Sequence, residues 1–204
     1  MTQLLLVRHG EPLAATVEPG TTAGADPALS GRGHTQARRL ADWLAGSGDL
    51  AGIAEVAVSP MRRAQETAAP VVELLAAPVT ATEDLAEFDR GRPSYRPVHE
   101  RDDDDPEWQR IREGRYPDFV DAAAFRDRVC SALDAVAARH AGRASVLVVC
   151  HAGVINTYLT TVLGLELPLV FPLDHASVSR VLVSGSGRRR VRSVNETQHV
   201  ADLL

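Results

Sequence analysis

Residues 3–8 read Gln-Leu-Leu-Leu-Val-Arg, and His9 follows them directly. The apolar residues of this stretch are consecutive and do not alternate with polar ones, which is typical of a β-strand buried on both faces. Residues 146–150, Val-Leu-Val-Val-Cys, form the most apolar strand candidate of the chain and are followed by His151. Strands of this kind belong to parallel sheets covered by helices, so the two runs predict the centre of such a sheet.

Two helices can be placed from their capping residues and their apolar spacing. Ser30 can cap a helix whose apolar side chains recur at helical spacing through residues 37–44. Asp121 can cap a second helix with one apolar face through residues 125–136. Helices with a single apolar face cover a sheet, so both are expected to pack against the predicted strands.

Two further helical patterns occupy residues 61–76 and 153–163. Pro70 lies inside the first of them and is expected to kink or split it, because proline lacks the backbone N–H and crowds the preceding turn. A Gly-Ser-Gly turn at residues 185–187 is expected to join the last two strands. Strand candidates, besides the two above, are residues 54–58, 78–83, 177–183 and 190–194.

Strands that alternate with helices predict an α/β fold, a three-layer sandwich with a mostly parallel central sheet flanked by helices. The 204 residues fit a single domain, 1–204. Residues 10–29 are rich in Gly, Pro, Thr and Ala and are predicted to be a loop. Residues 84–120 form an irregular stretch too long for a plain connection, and we expect an insertion over the active site there.

The charge composition excludes several kinds of chemistry. The chain has 27 acidic and 22 basic residues, a net charge of −5, which argues against a dedicated nucleic-acid binder. All the basic residues are arginine. The absence of lysine excludes a Walker phosphate loop, a Schiff-base lysine and a lysine general base. Any cation that binds substrate is therefore arginine or protonated histidine, and the planar arginine fork suits phosphate or carboxylate.

The sequence shows no sign of a membrane segment or a leader. No stretch approaches the roughly 18 apolar residues of a spanning helix, and no basic region precedes the apolar run near Met1. Cys130 and Cys150 match no metal or redox spacing and are expected to be reduced thiols. These features predict a cytoplasmic protein without a membrane partner, and they leave the oligomeric state open.

Reactive side chains follow three of the predicted strands. The first strand ends in Arg8 and His9, the second in residues 59–63 (Ser-Pro-Met-Arg-Arg), and the long apolar one in His151. Ligands of open α/β sheets bind beyond the carboxyl ends of the strands, so two histidines and at least two arginines are expected in one crevice. An imidazole can attack phosphorus to form a covalent intermediate, and arginine forks stabilise the phosphoryl charge. A metal site from His9, Glu11 and His151 is an alternative without supporting ligand spacing.

Five segments of the chain occur in an order that identifies a family. Together they resemble the histidine phosphatase superfamily, the phosphoglycerate-mutase-like fold. The resemblance runs from residue 4 to 155, and residues 195–199 match more loosely. The segments are 4–11 (Leu-Leu-Leu-Val-Arg-His-Gly-Glu), 26–37 (Asp-Pro-Ala-Leu-Ser, then Gly33 and Gln36-Ala37), 59–68 (Ser-Pro-Met-Arg-Arg-Ala, then Thr67-Ala68), 85–91 (Leu85, Glu87 and Gly91) and 148–155 (Val-Val-Cys-His-Ala-Gly-Val-Ile).

The resemblance implies a role for each matching residue. His9 is implied to be the nucleophile that becomes phosphohistidine. Arg63, rather than Arg62, matches the family's arginine because it directly precedes Ala64. The backbone amide of Ala152 is a further implied phosphate contact. The side chains implied to hold the phosphoryl group are Arg8, Arg63 and His151.

Glu87 falls where the family has the acid that protonates the leaving oxygen and then activates water. Asp89 is a rival, because some branches use an aspartate. The residues after Pro12 lack the asparagine that many members place there, and residues 116–119 (Tyr-Pro-Asp-Phe) replace the usual Gly-Glu-Ser. These departures bear on the substrate more than on the chemistry.

The expected function is a metal-independent phosphomonoesterase that acts through phosphohistidine on a small phosphorylated metabolite, with no cofactor. A phosphoglycerate mutase that uses a bisphosphate primer is the alternative, and 204 residues are few for a mutase. A non-catalytic phosphate-binding protein and a metal-dependent hydrolase are further classes. The substrate stays open between a sugar phosphate, a nucleotide, another metabolite and a phosphoprotein.

Overall fold

The computed structural model describes residues 1–18, 24–97, 100–140, 142 and 144–204. Within the described residues the strands are β1 (Thr2–Arg8), β2 (Ala15–Thr16), β3 (Ile53–Val58), β4 (Val79–Ala81), β5 (Ser94–Tyr95), β6 (Ser145–Cys150), β7 (Val178–Val183) and β8 (Arg189–Glu196). Four of the strands, β1, β3, β6 and β7, are mostly buried runs rich in Val, Leu and Ala, as expected for the middle layer of an α/β protein, and the other four are partly or fully exposed.

Six of these strands form one sheet in the order β4-β3-β6-β1-β7-β8. The first four are parallel to one another, β7 is antiparallel to β1, and β8 is antiparallel to β7. Arg8 pairs with Cys150 at the end of β1 and β6, so the residues that follow them, His9 and His151, lie side by side. The strands β2 and β5 pair separately from this sheet.

Helices cover both faces of the sheet. Successive residues of β1 point to opposite faces, so Leu5 and Val7 join one buried cluster while Leu4 and Leu6 join the other. The first cluster contains the apolar faces of α1 and α2, and the second contains those of α4 and α5. The predicted three-layer sandwich is therefore confirmed. The helices are α1 (Gly31–Gly46), α2 (Arg62–Glu73), α3 (Pro106–Arg112), α4 (Ala122–Arg139) and α5 (Ala152–Leu163).

The two predicted helix caps are confirmed. The Ser30 hydroxyl accepts a hydrogen bond from the Gly33 backbone N–H at 3.0 Å. The Asp121 carboxylate accepts from the Ala123 and Ala124 amides at 3.1 and 3.0 Å. Each cap satisfies amides of the first turn that have no partner within the helix, which fixes where the helix begins.

Of the kink or split expected at Pro70, the split is wrong. Helix α2 runs unbroken from Arg62 to Glu73 with Pro70 inside it. Proline removes one hydrogen bond from the helix interior. The apolar face of α2 keeps the helix intact, because Ala64, Ala68 and Val71 are buried against the sheet on both sides of the proline.

The two loop predictions need correction. The stretch 84–120 contains β5 and α3, and the loop 10–29 contains β2, which pairs with β5. Residues 19–23 of the predicted loop lie outside the described residues. The strands β2 and β5 have two residues each, too few to give a periodic sequence pattern, and their pairing joins segments far apart in the chain. None of the helices described is long and apolar enough to cross a bilayer.

Candidate active site

The parallel strands β3, β6 and β1 are neighbours, so their carboxyl ends meet at one edge of the sheet. The His9 amide donates to the Cys150 carbonyl at 3.0 Å, which continues the pairing of β1 and β6 past the strand end. The ring centroids of His9 and His151 lie 5.1 Å apart. The structure thus brings together the two histidines that the sequence predicts to share a crevice.

His9 is 3% exposed, and its two ring nitrogens have different partners. Nδ1 lies 2.8 Å from the Gly10 carbonyl oxygen, so Nδ1 carries the proton and donates it. Nε2 accepts a hydrogen bond from Arg63 Nε at 3.3 Å. Burial, followed by the charge of Arg63 and the neighbouring His151, lowers the pKa of His9 well below its ordinary value. The ring is therefore neutral, with its lone pair on Nε2.

Arg63, and not Arg62, belongs to this site. The Arg63 side chain is 1% exposed, and its Nη2 donates to both carboxylate oxygens of Asp89, at 2.9 and 3.1 Å. Its Nη1 is buried without a hydrogen-bond partner among the described residues. The Arg62 side chain is 60% exposed and pairs with Glu66 at 2.7 Å. Helix α2 therefore turns one of the two neighbouring arginines inward and the other outward.

Arg8 approaches the site from the end of β1. Its Nη1 donates to the Leu173 carbonyl, and its Nη2 lies 2.9 Å from His175 Nε2. The ring of His175 lies 5.9 Å from that of His9. Sequence reasoning missed His175 because it considered only the carboxyl ends of strands. The antiparallel strand β7 begins where β1 ends, so a residue just before β7 reaches the same edge.

His151 is fully buried and occupies the position just before α5, where its side chain makes no capping hydrogen bond. Its Nε2 lies 2.7 Å from the Ser59 hydroxyl, and its Nδ1 is buried without a partner in the part of the chain that the structure describes. Burial, with the charges of Arg63 and Arg8, lowers the pKa of His151 well below its ordinary value. The sequence singles out Ser59 only as part of a motif. In the structure its hydroxyl fixes the orientation of the second histidine.

Glu87 lies in the stretch before β5, and its buried carboxyl group packs against the N-terminal end of α5. Its Oε2 accepts from the Gly153 amide at 2.7 Å and its Oε1 from the Phe88 amide at 3.1 Å. Burial, followed by the negative charge of Asp89, raises the pKa of Glu87 to about 7. A Cβ atom at Gly153 would lie 2.3 Å from Glu87 Oε1, so only glycine leaves room for the carboxyl group. A carboxyl with this pKa can give and take a proton near neutral pH.

Tyr95 closes the site from the insertion. It lies on β5, and its ring centroid is 4.8 Å from the guanidinium carbon of Arg63. Sequence reasoning missed Tyr95, since its position depends on the pairing of β5 with β2. Cation–π contacts of this geometry help to hold a guanidinium in place.

A cavity of about 730 Å³ opens over these residues. Arg8, His9, Arg63, Glu87 and Ala152 line it, and His151 is not among its lining residues. The insertion contributes to the same cavity, as the sequence predicts. Among the residues that the structure describes, no three His, Cys, Asp or Glu side chains are grouped as metal ligands would be.

This fold, with a buried cluster of histidine and arginine at the carboxyl edge of its sheet, belongs to a class of proteins that transfer phosphoryl groups. The chain belongs to the histidine phosphatase superfamily (branch 1), which its sequence matches over residues 4–197.

Two curated relatives match nearly the whole chain. The uncharacterized phosphatase PhoE of Bacillus subtilis is 28% identical over 206 residues, which cover all of both chains. A bifunctional protein of Mycobacterium tuberculosis is 31% identical over 205 residues, which cover 98% of this chain and 55% of that protein. The chain thus spans about half of the mycobacterial relative. Among solved structures, YhfR of Bacillus stearothermophilus superimposes with a TM-score of 0.74 at 26% identity, covering 98% of this chain and 100% of YhfR.

Proposed function

We propose that this chain is a single-domain, metal-independent phosphomonoesterase that acts on a small phosphorylated substrate through a phosphohistidine at His9. The observation that carries the proposal is the state of the His9 ring. Its Nδ1–H is held by the Gly10 carbonyl, its Nε2 lone pair adjoins Arg63, and its pKa is lowered. A neutral imidazole whose proton is fixed on Nδ1 keeps its lone pair on Nε2, and this lone pair attacks phosphorus when the long 3.3 Å hydrogen bond from Arg63 Nε is given up.

In the first half-reaction, the His9 Nε2 lone pair attacks phosphorus and the bond from phosphorus to the ester oxygen breaks. The bonding electrons leave with that oxygen, which takes the proton of Glu87 and departs as an alcohol. In the second half-reaction, the Glu87 carboxylate takes a proton from water as the water oxygen attacks phosphorus. The bond from phosphorus to His9 Nε2 breaks, its electrons return to Nε2 as the lone pair, and inorganic phosphate is released. A pKa of about 7 suits Glu87 to both roles.

The positive charge that the phosphoryl group needs is supplied by arginine. Arg63 has a buried Nη1 without a hydrogen-bond partner among the described residues, a donor that suits a phosphoryl oxygen. Arg8 lines the cavity beside His9. His151 does not line the cavity, but its ring lies 5.1 Å from that of His9. With the Ser59 hydroxyl donating to Nε2, the proton of the His151 ring lies on the unpartnered Nδ1 and is the further donor that we propose for a phosphoryl group on His9. These groups do the work that a metal ion does in other phosphatases, so we propose no metal and no cofactor.

Hydrolysis is the outcome that we propose, and not mutase activity. A mutase must return the phosphoryl group to a second hydroxyl, whereas a hydrolase passes it to water. The relative that matches the whole chain is named a phosphatase. Glu87 is hydrogen-bonded at the start of α5 and lines the cavity, where it can activate water.

The proposal is tested by phosphate release from a panel of phosphomonoesters, with and without a chelator. We expect hydrolysis that the chelator does not reduce, and no release of phosphate by the His9→Ala variant. His34→Ala is the matched control, because His34 is exposed and does not line the cavity. Loss of activity on chelation, or phosphate moved to a second hydroxyl instead of released, would overturn the proposal.

A further inference from the structure

The cavity extends well beyond the residues that surround His9. At about 730 Å³ it is the size of pockets that enclose whole small molecules. The phosphoryl group occupies only the part beside His9, Arg8 and Arg63. The rest of the cavity is continuous with that part, so the alcohol part of the substrate is its natural occupant.

Two apolar walls face this outer part of the cavity. Trp108 and Ile111, on α3 of the insertion, form one wall. Leu169 and Phe171, in the segment between α5 and β7, form the other. Apolar walls of this kind favour a bulky apolar group, because its burial removes apolar surface from water on both partners.

Hydrogen bonds hold the second wall in place. The Asn156 side-chain amide accepts from the Phe171 N–H at 2.7 Å and donates to the Phe171 carbonyl at 3.0 Å. The Leu169 N–H donates to the Gly114 carbonyl at 3.0 Å, which ties this segment to the end of the insertion. The two walls are therefore joined to each other and to α5, and they form a prepared surface.

A second set of arginines, Arg96, Arg101 and Arg112, lines the same cavity from the insertion. Their acidic partners do not line it. Arg112 pairs with Asp103 at 2.9 Å, and the Asp103 side chain is 96% exposed. Exposed ion pairs contribute little stability, so Arg112 can exchange this partner for a ligand anion at little cost.

Arg101 is less exposed than Arg112, and its acidic partners lie farther from its guanidinium than Asp103 lies from that of Arg112. Its side chain is 18% exposed, and Nη1 lies 3.4 Å from Asp105 and 3.9 Å from Glu107. The Asp105 carboxylate caps α3 through Oδ1, which accepts from the Glu107 and Trp108 amides, and its other oxygen, Oδ2, is the one that Arg101 contacts. Arg101 Nε donates to the Arg96 carbonyl at 3.3 Å, and Nη2 has no hydrogen bond among the described residues, so Nη2 is the donor left for an anion that enters the cavity.

From these contacts we infer the substrate class: a phosphomonoester whose alcohol part is a bulky apolar group that carries a second negative charge. The apolar group packs between the wall of Trp108 and Ile111 and that of Leu169 and Phe171, and the second charge binds Arg101 and Arg112. This inference rests on the proposed phosphatase function and names the substrates of the same site.

Four aryl phosphates test the apolar group and the second negative charge of the substrate separately. The aryl group is phenyl or naphthyl, and each carries either a carboxymethyl group or the neutral carbamoylmethyl group of the same shape. The methylene insulates the ring, so the leaving groups of each pair have similar acidity. We expect naphthyl to raise kcat/KM about tenfold over phenyl from the additional buried carbon atoms. We expect the carboxylate to raise it about tenfold over the amide through a charge-assisted hydrogen bond.

Variants of the lining residues test which side chains produce the gain in kcat/KM from the naphthyl group and which produce the gain from the carboxylate. Trp108→Ala is expected to bring the naphthyl-to-phenyl ratio close to one, and Ile111→Ala serves as a second variant of the same wall. Arg112→Gln and Arg101→Gln are expected to bring the carboxylate-to-amide ratio close to one. Arg126→Gln is the matched control, because Arg126 is an exposed residue of α4 that does not line the cavity. It removes the same charge, and neither ratio should change.

The outcomes distinguish this inference from the proposed function. If all four compounds are hydrolysed with kcat/KM within about twofold of one another, the phosphatase function stands and the substrate inference fails. A carboxylate gain that Arg126→Gln reduces as much as Arg112→Gln does would show a general charge effect and would also overturn it. If neither these compounds nor p-nitrophenyl phosphate release phosphate, the proposed function fails and the inference fails with it.

Discussion

Asp89 holds the guanidinium of Arg63 through both of its carboxylate oxygens, which lie 2.9 and 3.1 Å from Nη2. The two atoms of Arg63 that remain are Nε, which donates to His9, and Nη1, which has no partner among the described residues. The negative charge of Asp89 also helps to raise the pKa of Glu87. Asp89 is thus a positioning residue that acts on both the phosphate-binding arginine and the acid.

The Asp89→Asn variant tests this double effect through a pH profile. The charge of Asp89 raises the pKa of Glu87, so its removal must lower that pKa. Glu87 would then lose its proton at a lower pH, and the limb of the kcat/KM profile near pH 7 should move to more acidic values for alkyl phosphates. A profile that keeps its position, or moves to higher pH, would contradict the coupling of the two carboxyl groups.

The Glu87→Gln variant tests the acid itself. An alkoxide needs a proton as the bond to phosphorus breaks, whereas nitrophenolate departs without one. The variant should therefore slow alkyl phosphates far more than p-nitrophenyl phosphate in single-turnover phosphorylation. Asp89→Asn is the control, measured well below the pKa of Glu87, where it should leave the leaving-group dependence unchanged. If Asp89→Asn steepens that dependence and Glu87→Gln does not, the acid is Asp89.

The neighbouring arginines give a comparison within one helix. Arg63→Ala should lower kcat/KM by about a hundredfold or more, because a buried charge-assisted contact to phosphate is lost. Arg62→Ala should stay within about threefold of the parent, because it removes only an exposed ion pair. Circular dichroism of both variants controls for folding, and the reverse ranking would contradict the position of α2 in the site.

Gly153 offers a test of the acid's placement without altering the acid. In the Gly153→Ala variant the new Cβ would meet Glu87 Oε1, so the carboxyl group must move from the start of α5. We expect alkyl phosphates to lose more activity than p-nitrophenyl phosphate, as in Glu87→Gln. The control is Gly31→Ala, where a Cβ meets nothing within 4 Å. Equal losses for both kinds of substrate would show that the displaced group is not the proton donor.

The parts of the site that the sequence predicts depend on local patterns. Arg8 ends β1, His9 and His151 follow β1 and β6, and the pairing of these two strands is enough to bring the three residues together. The choice of Arg63 over Arg62 rests on its position before Ala64, and the helix places it as the motif requires. The caps Ser30 and Asp121 are local in the same sense.

The parts that the sequence did not predict depend on distant contacts. His175 reaches the site because β7 is antiparallel, and the sequence does not show that direction. Tyr95 reaches it because β5 pairs with β2, two strands of two residues each. The role of Asp89 depends on the charge that it meets, and the two-residue spacing from Glu87 does not reveal it.

The phosphohistidine at His9 is the central claim, and mass spectrometry of enzyme quenched in base during turnover tests it most directly. Trypsin cuts after Arg8 and Arg32, so His9 is the only histidine of peptide 9–32, while His151 and His175 share peptide 144–180. We predict one phosphate on peptide 9–32, lost in acid, and none in the His9→Ala variant. A phosphate on peptide 144–180, or turnover by His9→Ala within about tenfold of the parent, only about 1.4 kcal/mol of barrier, would contradict the account.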